Sequence, residues 1–272
     1  GFGCNAAGVT ACRIIESPRE RLIAILTNCF VPCNGRFPTL ILLSGFFFAR
    51  GNPIAAGGFV FLLIVLAVGI TLAVSFLLSK TILRGVPSAF VLELPPYRRP
   101  KLWDVNVRSM LDRTIFVLAR AVTVATPAGA VIWLCQNIMV NGHTLLYGMA
   151  ALLEPLGALM GLSGVILMAF LLGIPANEIV IPILLMVYSQ SGTLVEAEGI
   201  AQAAANGWTW VTAVCVILFS LNHFPCATTL LTIRKETGSL LWTGVSFFLP
   251  TVVGVLLCIA VHLLALLVGI FF

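Results

Sequence analysis

Of 272 residues, 60% are hydrophobic and 9% charged, with a mean hydropathy of +1.10 and a formal charge of +5. Soluble domains carry about 25% charged residues, so the composition excludes a soluble globular protein and places the chain in a lipid bilayer. Lipid offers no partner to a free backbone group, and strand-length alternation is absent, so the expected fold is all-α: a polytopic transmembrane helical bundle.

The chain opens on GFGCN, without the basic n-region and cleavage site of a signal peptide, and reads as the interior of a longer polypeptide. A short apolar segment leads to the basic stretch ESPRER, and residues 22–49 follow as the next candidate span. Inside it, residues 27–38 read TNCFVPCNGRFP, with two prolines where a membrane helix needs its amide hydrogens. Residues 54–79 exceed the roughly 20 apolar residues that cross a bilayer. Residues 101–113, after the helix-breaking Pro95-Pro96, form an amphipathic stretch with Trp103 and several bases, suited to an anionic inner leaflet. Further candidate spans cover residues 114–138, 144–160, 161–189 with a break, 208–233 and 240–272.

Arg and Lys gather around residues 19–21, 80–120 and 234–235, whereas the loop after Tyr188 holds two glutamates and no base. The positive-inside rule therefore sets the basic regions in the cytoplasm and the acidic loop outside. Successive spans then run outward over 22–49, inward over 54–79, outward over 114–138, inward over 144–160 and outward over 162–189. Residues 208–233 run inward and the last span outward. Arg50 is the one charge that disagrees.

The interruption has an echo. Asn28-Cys29-Phe30-Val31-Pro32-Cys33 resembles Asn222-His223-Phe224-Pro225-Cys226, and Gly1-Phe2-Gly3-Cys4-Asn5 resembles Gly173-Ile174-Pro175-Ala176-Asn177. The order of motifs is the same in both halves, while the charges give the paired elements opposite directions across the membrane. That is the pattern of two inverted repeats with broken helices, which in secondary transporters places the substrate near the bilayer midplane.

Thiol, imidazole, amide and carboxylate donors accumulate at these motifs, and together they suit a borderline transition metal better than Mg²⁺ or Ca²⁺. The candidate metal-path residues are Cys4, Cys33, Cys226, Asn5, Asn28, Asn177, Glu178, Asn222 and His223. Of the remaining thiols, Cys12, Cys135, Cys215 and Cys258 lie outside the motifs and are assigned to packing, while Cys29 sits at the repeat position of His223. His223 falls one helical turn from Cys226 if the helix continues past Pro225. Glu178 is the carboxylate set most firmly in an apolar segment, where buried acids are costly; Glu154, before Pro155, is either a second functional acid or a helix cap.

The stretches GFGCN, ERLIAILTNCFVPCNGRFP, ELPPYRRP, GIPANEIVIPI and FPCATTLLTIRKETGS closely resemble the membrane domain of the ferrous iron transport protein B family, in order and over nearly the whole chain. The resemblance implies two Gate segments in opposed orientation and an Fe²⁺ path lined by Cys4, Cys33 and Cys226. It divides the chain into a first Gate region (1–50), a spanning helix with its basic cytoplasmic loop (51–113), and a second Gate repeat with the C-terminal helices (114–272). It also implies a bacterial inner-membrane location, a partnering GTP-binding domain, small Feo accessory proteins and room for a homo-oligomer.

The chain has no GxxxxGK[ST] phosphate loop, so GTP hydrolysis is not expected in these residues. No catalytic set or nucleic-acid signature appears either. Fe²⁺ enters as the transported ion and the lipid bilayer as solvent. Two alternatives remain: a Gate-type transporter of a nucleoside-like solute, recognised through the asparagines, and a non-transporting membrane sensor of metal or redox state.

Overall fold

The computed structural model describes residues 1–49, 52–83, 85, 103, 106, 107, 111, 115–140, 143–189 and 208–269. Arg50, the acidic loop and most of the expected amphipathic helix over 101–113 fall outside them. The described residues form helices, with one short antiparallel ladder pairing Met139 to Thr144 and Val140 to His143; the all-α membrane bundle stands.

The first helices are α1 (Asn5–Ala11), α2 (Pro18–Thr27), α3 (Phe37–Leu43) and α4 (Pro53–Lys80). Pro18 and Pro53 sit at first helical positions, where a missing N–H costs nothing. Each is preceded by a side-chain cap: Ser17 Oγ accepts from Glu20 N, and Asn52 Oδ1 accepts from Ile54 N at 3.0 Å. After α5 (Phe116–Asn137) come α6 (Leu145–Leu159), α7 (Gly164–Leu172) and α8 (Val180–Ser189), then α9 (Trp210–Asn222), α10 (Ala227–Thr237) and α11 (Leu240–Leu267). Gly238, at φ +63, closes α10 in the left-handed conformation that glycine adopts without strain.

Among the described residues both halves share one plan: a Gly-to-Asn motif, a short helix, a second helix, a break, a third helix and a 28-residue helix, α4 in the first half and α11 in the second. By length and apolarity α4, α11 and the segment Trp210–Thr237 are candidate spans, and α6 with α7 forms a further pair bent by 112°.

Side-chain contacts define two ends of the bundle. At one end Arg13, just past α1, pairs with Glu236 of α10 at 2.6 Å, and Arg19 of α2 donates to the carbonyls of Ser79 and Leu83 at the close of α4. At the other end Phe47 stacks on Trp208 with ring centroids 6.3 Å apart. The breaks lie between, since Gly254, halfway along α11, is where an added Cβ would come within 3.0 Å of the Asn222 carbonyl. The largest core cluster fills the space from the breaks toward the Phe47 end, with Leu40, Ile166, Phe170, Ile183, Val216 and Phe219 at its centre.

One charge-based expectation is corrected. Residues 144–160 and 162–189 do not form an inward pass followed by an outward one. Gly161, at φ +69, turns the chain beside His262, near the end of α11 remote from its basic start, and α7 folds back there against α6. Glu154 fixes the fold-back by accepting the first amide of α7, Gly164 N, at 2.6 Å. The 160–163 turn carries no charge, so the positive-inside rule has nothing to count there.

Candidate functional site

Every motif places one residue at the start of a helix in extended backbone. Cys4 (φ −148, ψ 123) caps α1, and its repeat partner Ala176 (φ −152, ψ 120) caps the turn that leads into α8. Cys33 (φ −83, ψ 168) precedes the turn into α3, and Cys226 (φ −63, ψ 158) caps α10. The residues after the two Pro-Cys pairs also act alike, for Asn34 N donates to Gly3 O at 3.1 Å and Ala227 N to Ile174 O at 2.8 Å. Each break is thereby tied to the Gly-to-Asn motif of its own half.

Asn5 is buried, with its side-chain amide facing the carbonyls of Gly1 at 3.0 Å and Val31 at 3.3 Å, so nitrogen is the atom that meets them. Asn28 Nδ2 returns the link by donating to the Asn5 carbonyl at 2.8 Å. Cys4 is exposed beside them. In the second half Asn222 is wholly buried; its Nδ2 donates to Leu218 O, while its Oδ1 has no partner.

The two halves join at Asn177. Its side-chain amide lies 3.7 Å from Cys33 Sγ and 3.3 Å from His223 Nε2. His223 Nδ1 faces the carbonyls of Phe219 at 3.1 Å and Ser220 at 2.9 Å and must carry the ring proton, which leaves a lone pair on Nε2 of the neutral ring. The amide orientation that satisfies every atom has Asn177 donating to that lone pair and accepting from the Cys33 thiol. Phe170, Phe219 and Phe224 surround the imidazole with centroids at 5.0, 5.9 and 5.2 Å. This packing holds the ring in place and keeps water from it.

His223 and Cys226 do not form a ligand pair on one helix. Pro225 lacks the amide hydrogen that a continuing helix needs, α9 ends at Asn222, and the Cys226 thiol bonds instead to Thr229 Oγ1 at 3.2 Å. Glu178 is exposed rather than enclosed, its stem packed on Gly35, where an added Cβ would come within 3.0 Å of Glu178 Cγ. Among the described residues no three His, Cys, Asp or Glu side chains converge as a metal site. The nine candidates therefore fall into an Asn5/Asn28 cluster beside Cys4, a Cys33–Asn177–His223 link, and Glu178, Asn222 and Cys226 around it.

Arg36 is the residue that sequence reasoning passed over. It is 1% exposed, and its guanidinium donates to Cys29 O at 3.0 Å and to Leu221 O, His223 O and Phe224 O at 2.7, 2.9 and 3.4 Å. One side chain thus holds carbonyls freed by both breaks. The available signal was an arginine inside an apolar stretch, a costly placement that marks function by default.

Residues 60–113 match the family model described as "Ferrous iron transport protein B C terminus" and residues 118–240 the Gate model, described as "Nucleoside recognition". The Fe(2+) transporter FeoB of Staphylococcus aureus strain MSSA476 is 32% identical over 267 residues, covering 93% of this chain and 38% of the relative. FeoB of Methanocaldococcus jannaschii is 29% identical over 254 residues, covering 88% and 36% of the respective chains. The chain belongs to the ferrous iron transport protein B family and corresponds to its C-terminal membrane part. The chain spans about 38% of the length of that staphylococcal relative. No solved structure matches the chain.

Proposed function

We propose that the chain is a ferrous iron permease domain in which Fe²⁺ crosses at the meeting of two inverted Gate repeats. The observation that carries the reading is the Cys33–Asn177–His223 link, in which a thiol of one half and an imidazole lone pair of the other both come within hydrogen-bonding reach of one amide. These are donors a borderline divalent metal accepts. The unpartnered, buried Oδ1 of Asn222 adds an oxygen acceptor close by in sequence. The matched cap torsions at Cys4 and Ala176, and at Cys33 and Cys226, support the repeat. So do the opposed courses of two paired parts: α10 runs from its break toward the Arg13–Glu236 end, whereas α3 leads from its break toward Phe47 at the other.

Fe²⁺ is what the relatives' names give as their substrate, and a path of few, separate donors suits conduction, which needs binding weak enough to release the ion. The Cys33 thiol and His223 imidazole would supply soft and borderline ligands as the ion passes, with Asn177 exchanging its hydrogen bonds for the metal. With the basic end facing the cytoplasm of a bacterial inner membrane, the ion would enter from the Trp208 end. GTP binding belongs, on this reading, to a separate domain of the family, with small Feo proteins as accessory partners.

The test is Fe²⁺ entry into liposomes under anaerobic, reducing conditions. The unaltered chain is compared with a Cys4→Ser/Cys33→Ser/Cys226→Ser variant and a Cys12→Ser/Cys135→Ser control. Entry that is lost only in the triple variant supports a thiol-lined path. Equal entry in all three removes the cysteines from transport, and a folded chain that conducts nothing ends the permease reading for these residues.

A further inference from the structure

The buried guanidinium of Arg36 sits beside the candidate path, and no carboxylate among the described residues bonds to it. Its four bonds are to neutral carbonyl oxygens, its Nε has no partner, and the Arg13–Glu236 ion pair lies away from it at the end of the bundle. Arginine keeps its proton under all working conditions, so the charge is fixed. Its field reaches the Cys29, Cys33 and Cys226 thiols and the His223 ring, and burial leaves it little screened by salt. The carbonyls it occupies are also the oxygens that the two breaks would otherwise offer a cation.

We propose that Arg36 is an affinity-limiting residue that keeps the Cys33–Asn177–His223 site weak: its fixed positive charge opposes a resident divalent cation, and its guanidinium withholds the break carbonyls from it. The inference rests on the permease reading, since it takes that site as part of the metal path. It answers a difficulty in the chemistry, because thiolate and imidazole bind Zn²⁺ and Cu²⁺ more tightly than Fe²⁺, and an unopposed thiol site would trap them. A fixed cation lowers the occupancy of every divalent ion and restores release.

The experiment titrates Co²⁺ into the full chain, reduced and in detergent, and reads the thiolate-to-cobalt charge-transfer absorption. Unaltered protein is compared with Arg36→Lys, Arg36→Gln, Arg36→Met and Cys33→Ser. Lys keeps the charge but loses the fork, Gln keeps amide donors without charge, and Met keeps only the stem, so failure of one neutral variant to fold leaves the other. The expected result is Co²⁺ affinity raised at least about tenfold in Gln or Met, with Lys close to the unaltered protein and Fe²⁺ entry into liposomes slowed as affinity rises. Cys33-dependent absorption that gives the same Co²⁺ affinity in the unaltered protein and in all folded Arg36 variants overturns the inference and leaves the path standing. A signal unchanged by Cys33→Ser in both the unaltered and the neutral background overturns the path itself.

Discussion

Asn177 and His223, 46 residues apart in the chain, meet at 3.3 Å in the buried centre of the bundle, and the same amide reaches Cys33 in the opposite half. A single side chain therefore decides whether a thiol and an imidazole from two different breaks share a site. Replacing Asn177 by Leu leaves both without that partner. The expected loss is about 1–3 kcal/mol of stability together with a fall in Fe²⁺ entry, measured as a lower unfolding midpoint and a lower initial rate in liposomes. An unchanged rate in a folded Asn177→Leu protein would remove this residue from the path.

Gly35 is where the break of the first half abuts the second. A Cβ there would come within 3.0 Å of Glu178 Cγ, the middle of a flexible and exposed side chain. Gly35→Val is expected to force the two apart and reduce flux, and Glu178→Ala in the same chain is expected to recover part of it. Because the residues touch, a coupling of about 0.5–3 kcal/mol should appear in a double-mutant cycle on stability. Strict additivity would show that the steric contact is not what limits the Val variant.

Thiol accessibility gives a map that needs no substitution. Cys4 is exposed, Cys12, Cys135 and Cys226 are half-buried, and Cys29, Cys33, Cys215 and Cys258 are buried. Maleimide labelling read by peptide mass should follow that order in the folded chain. With Co²⁺ present at ten times its dissociation constant, labelling of Cys226 should slow by about tenfold if it ligates the metal. Labelling of Cys135 should not change.

Glu154 holds the first amide of α7 at 2.6 Å. Its replacement by Ala removes a helix cap and should cost about 0.5–2 kcal/mol, seen as a lower thermal midpoint with Co²⁺ affinity preserved. A loss of affinity at full stability would instead return Glu154 to the candidate acids of the path.

Breaks were legible from the sequence because proline acts locally. Pro32 and Pro225 remove amide hydrogens wherever the chain goes, and Asn and Cys recur around both. What proline leaves behind was not legible. The carbonyls freed at Leu221, His223 and Phe224 are taken by Arg36 from 185 to 188 residues away, and no local pattern announces that distance. A His223–Cys226 pair one turn apart needs a continuous helix; Pro225 prevents it, and the ring faces Phe219, Ser220 and Asn177 instead. Glu178 looked enclosed because its neighbours are apolar, yet apolar neighbours in sequence need not be neighbours in space. The turn at Gly161 was hidden for a different reason, since topology was read from charge and that turn has none.

The two closing helices of the halves have a consequence for the bilayer around them. At 28 residues each and 1.5 Å per residue, α4 and α11 are about 42 Å long, against a hydrocarbon thickness of about 30 Å. The excess is shared between the headgroup regions, which bring the bilayer to about 40–45 Å, and tilting of the helices. Gly254 of α11 lies against Asn222, and α4 packs along the α2 side of the first break, so a change in tilt is felt at both breaks. Membrane thickness is thereby a mechanical input to the two breaks: lipids with shorter acyl chains lean the two braces further over, and longer chains draw them upright.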